Sequence, residues 1–286
     1  MLLIIFLVTL RILSNSLSGV FQKKLVLSLP TSFINGISYL VLSLFCFLFF
    51  YKILEMNNGI FLTSALVGLF GALGNCFQIK ALEEGELSIL APLNSYKIIF
   101  SLIFSYFLLK EIPTLSALFG VFLIFLGSFF VFDTVEEKFS FKIFKRKDII
   151  FRFIAVFFTA LEAIFIKKLI VLSNPLNALF LWAFWTFLFS FGYYFLSKNI
   201  KTKKLKFQKE IILNLLFLSF SMGIMQFSTN ILFKMMNVSY ALCLFQLSVL
   251  LSIFLGYKIF KEKNLLKKLL ASFVMILGAI LIILNV

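Results

Sequence analysis

The sequence predicts an all-α polytopic membrane protein of ten transmembrane helices, arranged as two inverted-topology repeats of five. Three observations carry that expectation. The chain is too apolar for a soluble domain, the apolar residues recur in runs of membrane-spanning length, and the two halves match each other in order. Of the 286 residues, 62% are hydrophobic, and mean hydropathy is +1.09. A soluble domain is closer to half apolar.

A bilayer-spanning helix needs about 20 apolar residues. Runs of that kind fall at 2–21, 33–53, 60–82, 87–109 and 114–132, and again at 149–171, 176–197, 210–235, 239–259 and 265–285. The first run has no basic leader and is interrupted by Arg11, so it reads as a retained span and not a signal peptide. The longest connection, DTVEEKFSFKIFKRKD, is charged and poorly apolar. It divides the chain into a first repeat (1–132), a connecting loop (133–148) and a second repeat (149–286).

The halves agree residue by residue. With Ser88 placed on Ser239, Leu93 falls on Leu244, Ser101 on Ser252 and Tyr106 on Tyr257. In the same ungapped register Lys110-Glu111 falls on Lys261-Glu262, Leu115 on Leu266 and Gly127 on Gly278. FQKKL (21–25) and FIKKL (165–169) end the first span of each half. Agreement in one order through both sets argues duplication. Because five is odd, the second copy enters the membrane from the opposite side, an arrangement common among secondary transporters.

The segment KALEEGELSILAPLNSYKIIFSLIFSYFLLKEIPTLSALFGVFLIFLGSFF (80–130) resembles the drug/metabolite transporter superfamily, EamA type. The resemblance rests on an Ala-Leu before a short loop, a Ser opening span four, a proline inside it, a Lys-Glu at its end and a glycine-containing span five. A weaker copy follows in NVSYALCLFQLSVLLSIFLGYKIFKEK (237–263). The family's usual ending is Leu-Gly-Glu, and here it is Leu-Lys-Glu and Phe-Lys-Glu. The resemblance covers essentially the full chain and implies the ten-helix fold and a transport function. It does not narrow the substrate.

The formal net charge of +15 suggests nucleic acid in a soluble protein. Here the lysines cluster in short loops, which reads as contact with a membrane surface and excludes a nucleic-acid partner. Most lie after odd-numbered spans, so the positive-inside rule would place both termini outside. Resemblance to the superfamily implies the reverse, and the orientation stays open. Cys46, Cys76 and Cys243 lie far apart inside apolar runs and read as packing residues. There is no histidine, which removes the commonest general base and metal ligand. No cofactor and no metal site are expected.

Three charges stand near the middle of spans: Arg11, Lys97 and Glu162. A charge at that depth costs roughly 2.5–3.5 kcal/mol on insertion scales and normally faces a bundle interior or a wet cavity. Each belongs to a polar stripe at helical spacing. Lys97 shares its face with Asn94, Ser101 and Ser105, and Arg11 with Ser14, Asn15 and Ser18. Glu162 shares its face with Thr159 and small alanines. Pro92 should loosen span four beside them. Asn75, Gln78, Gln226 and Asn230 could line the same cavity or tie helices together, and Tyr96 and Gln246 are candidate wall residues. In the repeat register Lys97 corresponds to Ser248, so the lysine belongs to one half only.

One acid cannot neutralise two bases by simple pairing. Glu162 is expected to pair with Arg11 or Lys97, and the surplus charge to meet an anionic group of the substrate. Alternatively, Glu162 is a proton-coupling carboxyl. Glu111 and Glu262 read as helix-end caps, Lys80 and Lys234 as snorkelling to the interface. The glycines at 68, 71, 74, 120, 127 and 278 read as packing surfaces.

The expected function is that of a secondary active transporter, not an enzyme, moving a small anionic or zwitterionic metabolite such as an amino acid, proton-linked or by exchange. The expected setting is a bacterial inner membrane, as a monomer or homodimer in contact with lipid. The alternatives are an intramembrane enzyme or flippase acting on a lipid-linked substrate, and a non-transporting receptor.

Overall fold

A computed structural model describes residues 2–50, 56–109, 114–132, 144–196, 208–236 and 238–283. The first half contains α1 (Leu2–Val26), α2 (Thr31–Phe50), α3 (Asn58–Glu84), the short α4 (Leu87–Leu90), a 3-10 turn (Pro92–Ser95), α5 (Tyr96–Leu109) and α6 (Leu115–Phe132). The second contains α7 (Lys147–Leu172), α8 (Pro175–Leu196), α9 (Lys209–Met235), α10 (Val238–Phe245), α11 (Leu247–Phe260) and α12 (Leu265–Ile283). Seven helical stretches are long and apolar enough to cross a membrane by length and composition. With the two shorter apolar helices, Leu87–Phe100 and Leu118–Phe132, and α12, the described residues make ten spans. Most of the charged connecting loop lies outside the described residues, as does Glu111.

Helix ends follow local sequence signals. Asn57 caps α3 through its side-chain oxygen, which accepts from Ile60 N at 2.8 Å. Asn174 does the same for α8, accepting from Leu176 N and Asn177 N at 3.1 and 2.9 Å, and Pro175 occupies the first helical position, where a missing N–H costs nothing.

The helices pair across the halves. α3 packs on α7, α1 on α9, α2 on α8 and α6 on α12. Numbering spans within each half, these are third on first, first on third, second on second and fifth on fifth. A two-fold axis in the membrane plane generates that exchange, as an inverted repeat requires. The fifth spans show it at atomic detail. A Cβ on Gly127 would lie 2.7 Å from Ala271 O, and one on Gly278 would lie 2.5 Å from Gly120 O. In the repeat register Gly127 matches Gly278 and Gly120 matches Ala271, so one close approach occurs twice.

Two spans read as continuous in the sequence are broken. In span four, Pro92 has no N–H to donate, and the chain tightens into a 3-10 turn in which Asn94 N donates to Ala91 O at 3.1 Å. Span nine breaks at Gln246 without a proline, its N–H donating to Cys243 O at 2.9 Å. The helices beyond the breaks, α5 and α11, are both 14 residues long, and their first residues, Tyr96 and Leu247, coincide in the repeat register. The breaks touch. Ser95 Oγ donates to Gln246 Oε1 at 3.3 Å, and these two are repeat equivalents, as residues beside a pseudo-two-fold axis must be.

Candidate functional site

A polar cavity of about 110 Å³ opens where the broken spans meet α1, α3, α7, α8 and α9. One water needs only about 10–15 Å³ of such space, so the cavity has room for several waters or a small solute. On α1 the residues at 11, 15, 18 and 22 form one wall at helical spacing, contributing Arg11, Asn15, Ser18 and Gln22. Asn75 and Gln78 enter from α3, and Asn94 and Lys97 from the break in span four. Thr159 and Glu162 come from α7, Trp182 from α8, and Gln226 and Thr229 from α9. Gln246 and Ser248 close it from the break in span nine.

The three deep charges share this cavity without pairing. Glu162 accepts a hydrogen bond from Trp182 Nε1 at 2.6 Å. Arg11 Nε donates to Thr229 Oγ1 at 2.9 Å, and its guanidinium lies 4.5 Å from the centre of the Phe245 ring. Arg11 Nη1 is buried with no hydrogen-bond partner. Among the described residues the Lys97 ammonium has no hydrogen-bond partner either, and neither cation lies within 4.0 Å of Glu162. The expected internal ion pair is therefore not formed. Its place is taken by the indole because α8 packs on both α3 and α7, which brings Trp182 to the carboxyl. Gly71 makes room for that meeting, since a Cβ there would lie 2.8 Å from Glu162 Oε1.

The amides both line the cavity and join helices. Asn15 donates to Ser248 Oγ at 2.9 Å, Gln78 to Gln22 Oε1 at 2.8 Å and Asn75 to Tyr39 OH at 2.7 Å. The Tyr39 ring meets Trp182 edge-on at 4.9 Å, so the indole that holds Glu162 is itself held. Gln226 donates to Asn230 Oδ1 at 2.9 Å.

Not every expected residue reaches the cavity. Tyr96 faces the other way: its hydroxyl pairs with Ser128 at 2.8 Å, and its ring packs edge-on against Phe153 and Phe125. Asn230 stands behind Gln226, donating to Pro175 O at 3.0 Å. Ser101 lies on α5, and its side chain falls outside the described ones, as does that of Ser105. Lys80 sits over the rings of Phe77, Phe151 and Tyr193, and Lys234 is exposed. Among the described residues, no three His, Cys, Asp or Glu side chains are grouped to hold a metal.

The sequence reading missed Gln22, Thr229, Phe245, Trp182 and Arg152. Gln22 was within reach, one turn beyond Ser18 on the same face. Trp182 carried a weaker signal, an indole N–H inside an apolar span that must find an acceptor. Arg152 reads as a span-end residue, yet it is 5% exposed.

Glu262 acts as the cap its sequence position suggested, and it does so across the halves. Its carboxylate accepts from Leu87 N at 2.9 Å and Ser88 N at 2.8 Å, capping α4, and pairs with Lys23 at 2.7 Å. Burial pushes this carboxyl up, but the Lys23 ammonium and the Ser88 hydrogen bonds outweigh burial and hold it below its ordinary value. Lys268 pairs with Glu86 at 2.6 Å beside it.

A model of the EamA-like transporter family matches the chain twice, over residues 2–133 and 146–284. One solved crystal structure superposes with a TM-score of 0.70, covering 98% of this chain and 96% of its own, at 13% sequence identity. That degree of identity speaks for the fold alone. No curated protein matches the chain by sequence. The double match falls on the two five-span halves, and the chain belongs to the EamA-like transporter family of the drug/metabolite transporter superfamily.

Proposed function

We propose that this integral multi-pass membrane protein is a secondary active transporter of a bacterial inner membrane, moving a small anionic or zwitterionic metabolite by alternating access. The observation that carries the reading is a central cavity lined by two cationic groups left without hydrogen-bond partners among the described residues, the buried Arg11 Nη1 and the half-buried Lys97 ammonium, and one carboxyl committed to Trp182. A buried donor without a partner costs free energy, and a substrate carboxylate or phosphate would satisfy both. Inverted repeats with broken helices at mid-membrane are the setting in which transporters bind substrate. Glu162, the one acid lining the cavity among the described residues, serves as the proton-coupling group.

The protein works as a monomer or homodimer among lipids. An apolar groove of about 440 Å³ between α2, α8 and α9 supports contact with acyl chains.

The test is counterflow of a radiolabelled amino-acid mixture into liposomes containing the purified protein. Lys97→Ala and Glu162→Ala should each abolish flux while the protein still inserts. Parental flux in both variants overturns the assignment of the cavity.

A further inference from the structure

The break in span four strands a carbonyl. In an unbroken helix Asn94 N would donate to Leu90 O, but the 3-10 turn redirects that N–H to Ala91 O. Arg152, on α7, replaces the missing donor: its Nε donates to Leu90 O at 2.9 Å. The other arm of the same guanidinium, Nη2, donates to Asn94 Oδ1 at 2.8 Å. The side chain is buried, and no carboxylate lies within ion-pair distance of it among the described residues. A buried guanidinium is costly unless its donors are used, and here both arms serve one short segment.

The repeat makes this brace a feature of one half. In the register of FQKKL and FIKKL, the counterpart of Arg152 is Val8, a buried apolar residue. Among the described residues no guanidinium donates into the break in span nine, where Arg11 stacks on the Phe245 ring and donates to Thr229 instead. The half that carries Lys97 is also the half that receives Arg152.

We propose that Arg152 is a positioning residue for the substrate site. It holds the broken segment open and fixes the orientation of Asn94. A guanidinium can only donate, so the Asn94 carbonyl oxygen must face it and the amide nitrogen is left over. Asn94 lines the cavity, and its nitrogen has no acceptor among the described residues. Lys97 follows one turn later on the same face. Together they make a corner of donors, fitted to the acceptor end of a substrate, whether carboxylate or phosphate. This rests on the transport reading for the word substrate. The brace itself does not.

Hydrogen–deuterium exchange on the full-length protein in nanodiscs tests the brace. In Arg152→Gln, amides of residues 90–97 should exchange at least about tenfold faster while those of the other spans keep the parental rate, because opening there is local. Arg152→Lys should recover little, since one ammonium cannot span both acceptors. Asn94→Asp keeps an acceptor for Arg152, so 90–97 stay protected, but it removes the donor. In counterflow of the amino-acid mixture that variant should raise KM and leave kcat near parental. Unchanged exchange at 90–97 in Arg152→Gln overturns the proposal. Equal acceleration in every span also overturns it, by assigning Arg152 a general stabilising role. Parental KM in Asn94→Asp overturns the donor corner. If no solute is transported, the transport reading fails and the exchange result still decides the brace.

Discussion

Removing the Glu262 carboxylate should loosen one end of the bundle by a calculable amount. The residue sits in a tight turn where Lys261 and Asn264 have φ of 55° and 63°, a left-handed conformation that L-residues adopt at a cost. The turn aims the carboxylate at three donors: Lys23 Nζ, Leu87 N and Ser88 N. Glu86, at the N-cap of α4, makes no side-chain cap bond, so Glu262 supplies the cap from the other half. Glu262→Ala strands Leu87 N and Ser88 N and leaves the Lys23 ammonium with its bond to Gly85 O but no counter-charge. Breaking a buried pair by removing one partner costs about 3–5 kcal/mol, and the Lys23 side chain is 15% exposed, which favours the low end, about 3 kcal/mol. At about 2–4 °C per kcal/mol, the midpoint of thermal unfolding in detergent should fall by about 6–12 °C. Glu262→Gln keeps an acceptor and should lose about half as much.

The pH dependence has a fixed sign. The carboxyl is held below its ordinary 4.5 in the folded protein, so the folded state binds fewer protons than the unfolded state wherever the two differ. Its contribution is fully present above 4.5 and is lost as pH falls through the lower folded value. The gap between parent and Glu262→Ala should therefore be constant near neutrality and close only in acid below that range. A Glu262→Ala midpoint within about 1 °C of the parent, or a gap that closes at neutral pH, refutes the reasoning.

Trp182→Phe keeps an aromatic ring but removes the donor to Glu162, which should cost about 1–3 kcal/mol in thermal stability and depress counterflow. Gly71→Ala puts a Cβ 2.8 Å from Glu162 Oε1 and 3.0 Å from Thr186 Oγ1, so it should cost about 1–3 kcal/mol by the same melting assay and depress flux with it. Gly127→Ala and Gly278→Ala each force α6 from α12, because the obstructing atoms include backbone oxygens of the facing helix, Ala271 O and Gly120 O. Combined, they should cost less than the sum of the singles, since one separation accommodates both Cβ atoms.

Much of the architecture was legible without coordinates. A bilayer selects apolar runs of one length, so the spans could be placed from residue type alone. A duplicated chain preserves its register, so the match of Ser88 to Ser239 also aligns the starts of α5 and α11 and the glycines that bring α6 onto α12. The shared face of Arg11, Asn15 and Ser18 was legible for a similar reason, as helical periodicity is a property of neighbours along the chain. Pro92 marked one break because a missing N–H is written in the residue. The break at Gln246 carries no such mark.

What the sequence determined by itself is therefore the set of membrane helices, their duplication and the polar stripe on each. What only the tertiary structure decided is which neighbour each polar group meets. Glu162 turns to Trp182 and not to Arg11 or Lys97, Tyr96 turns to Ser128 and not to the cavity, Arg152 reaches the stranded carbonyl of Leu90, and Glu262 caps a helix in the opposite half. Each of these pairings joins residues from different spans. Periodicity along one helix says which side chains share a face, but the partner of that face is set by how helices distant in sequence pack together.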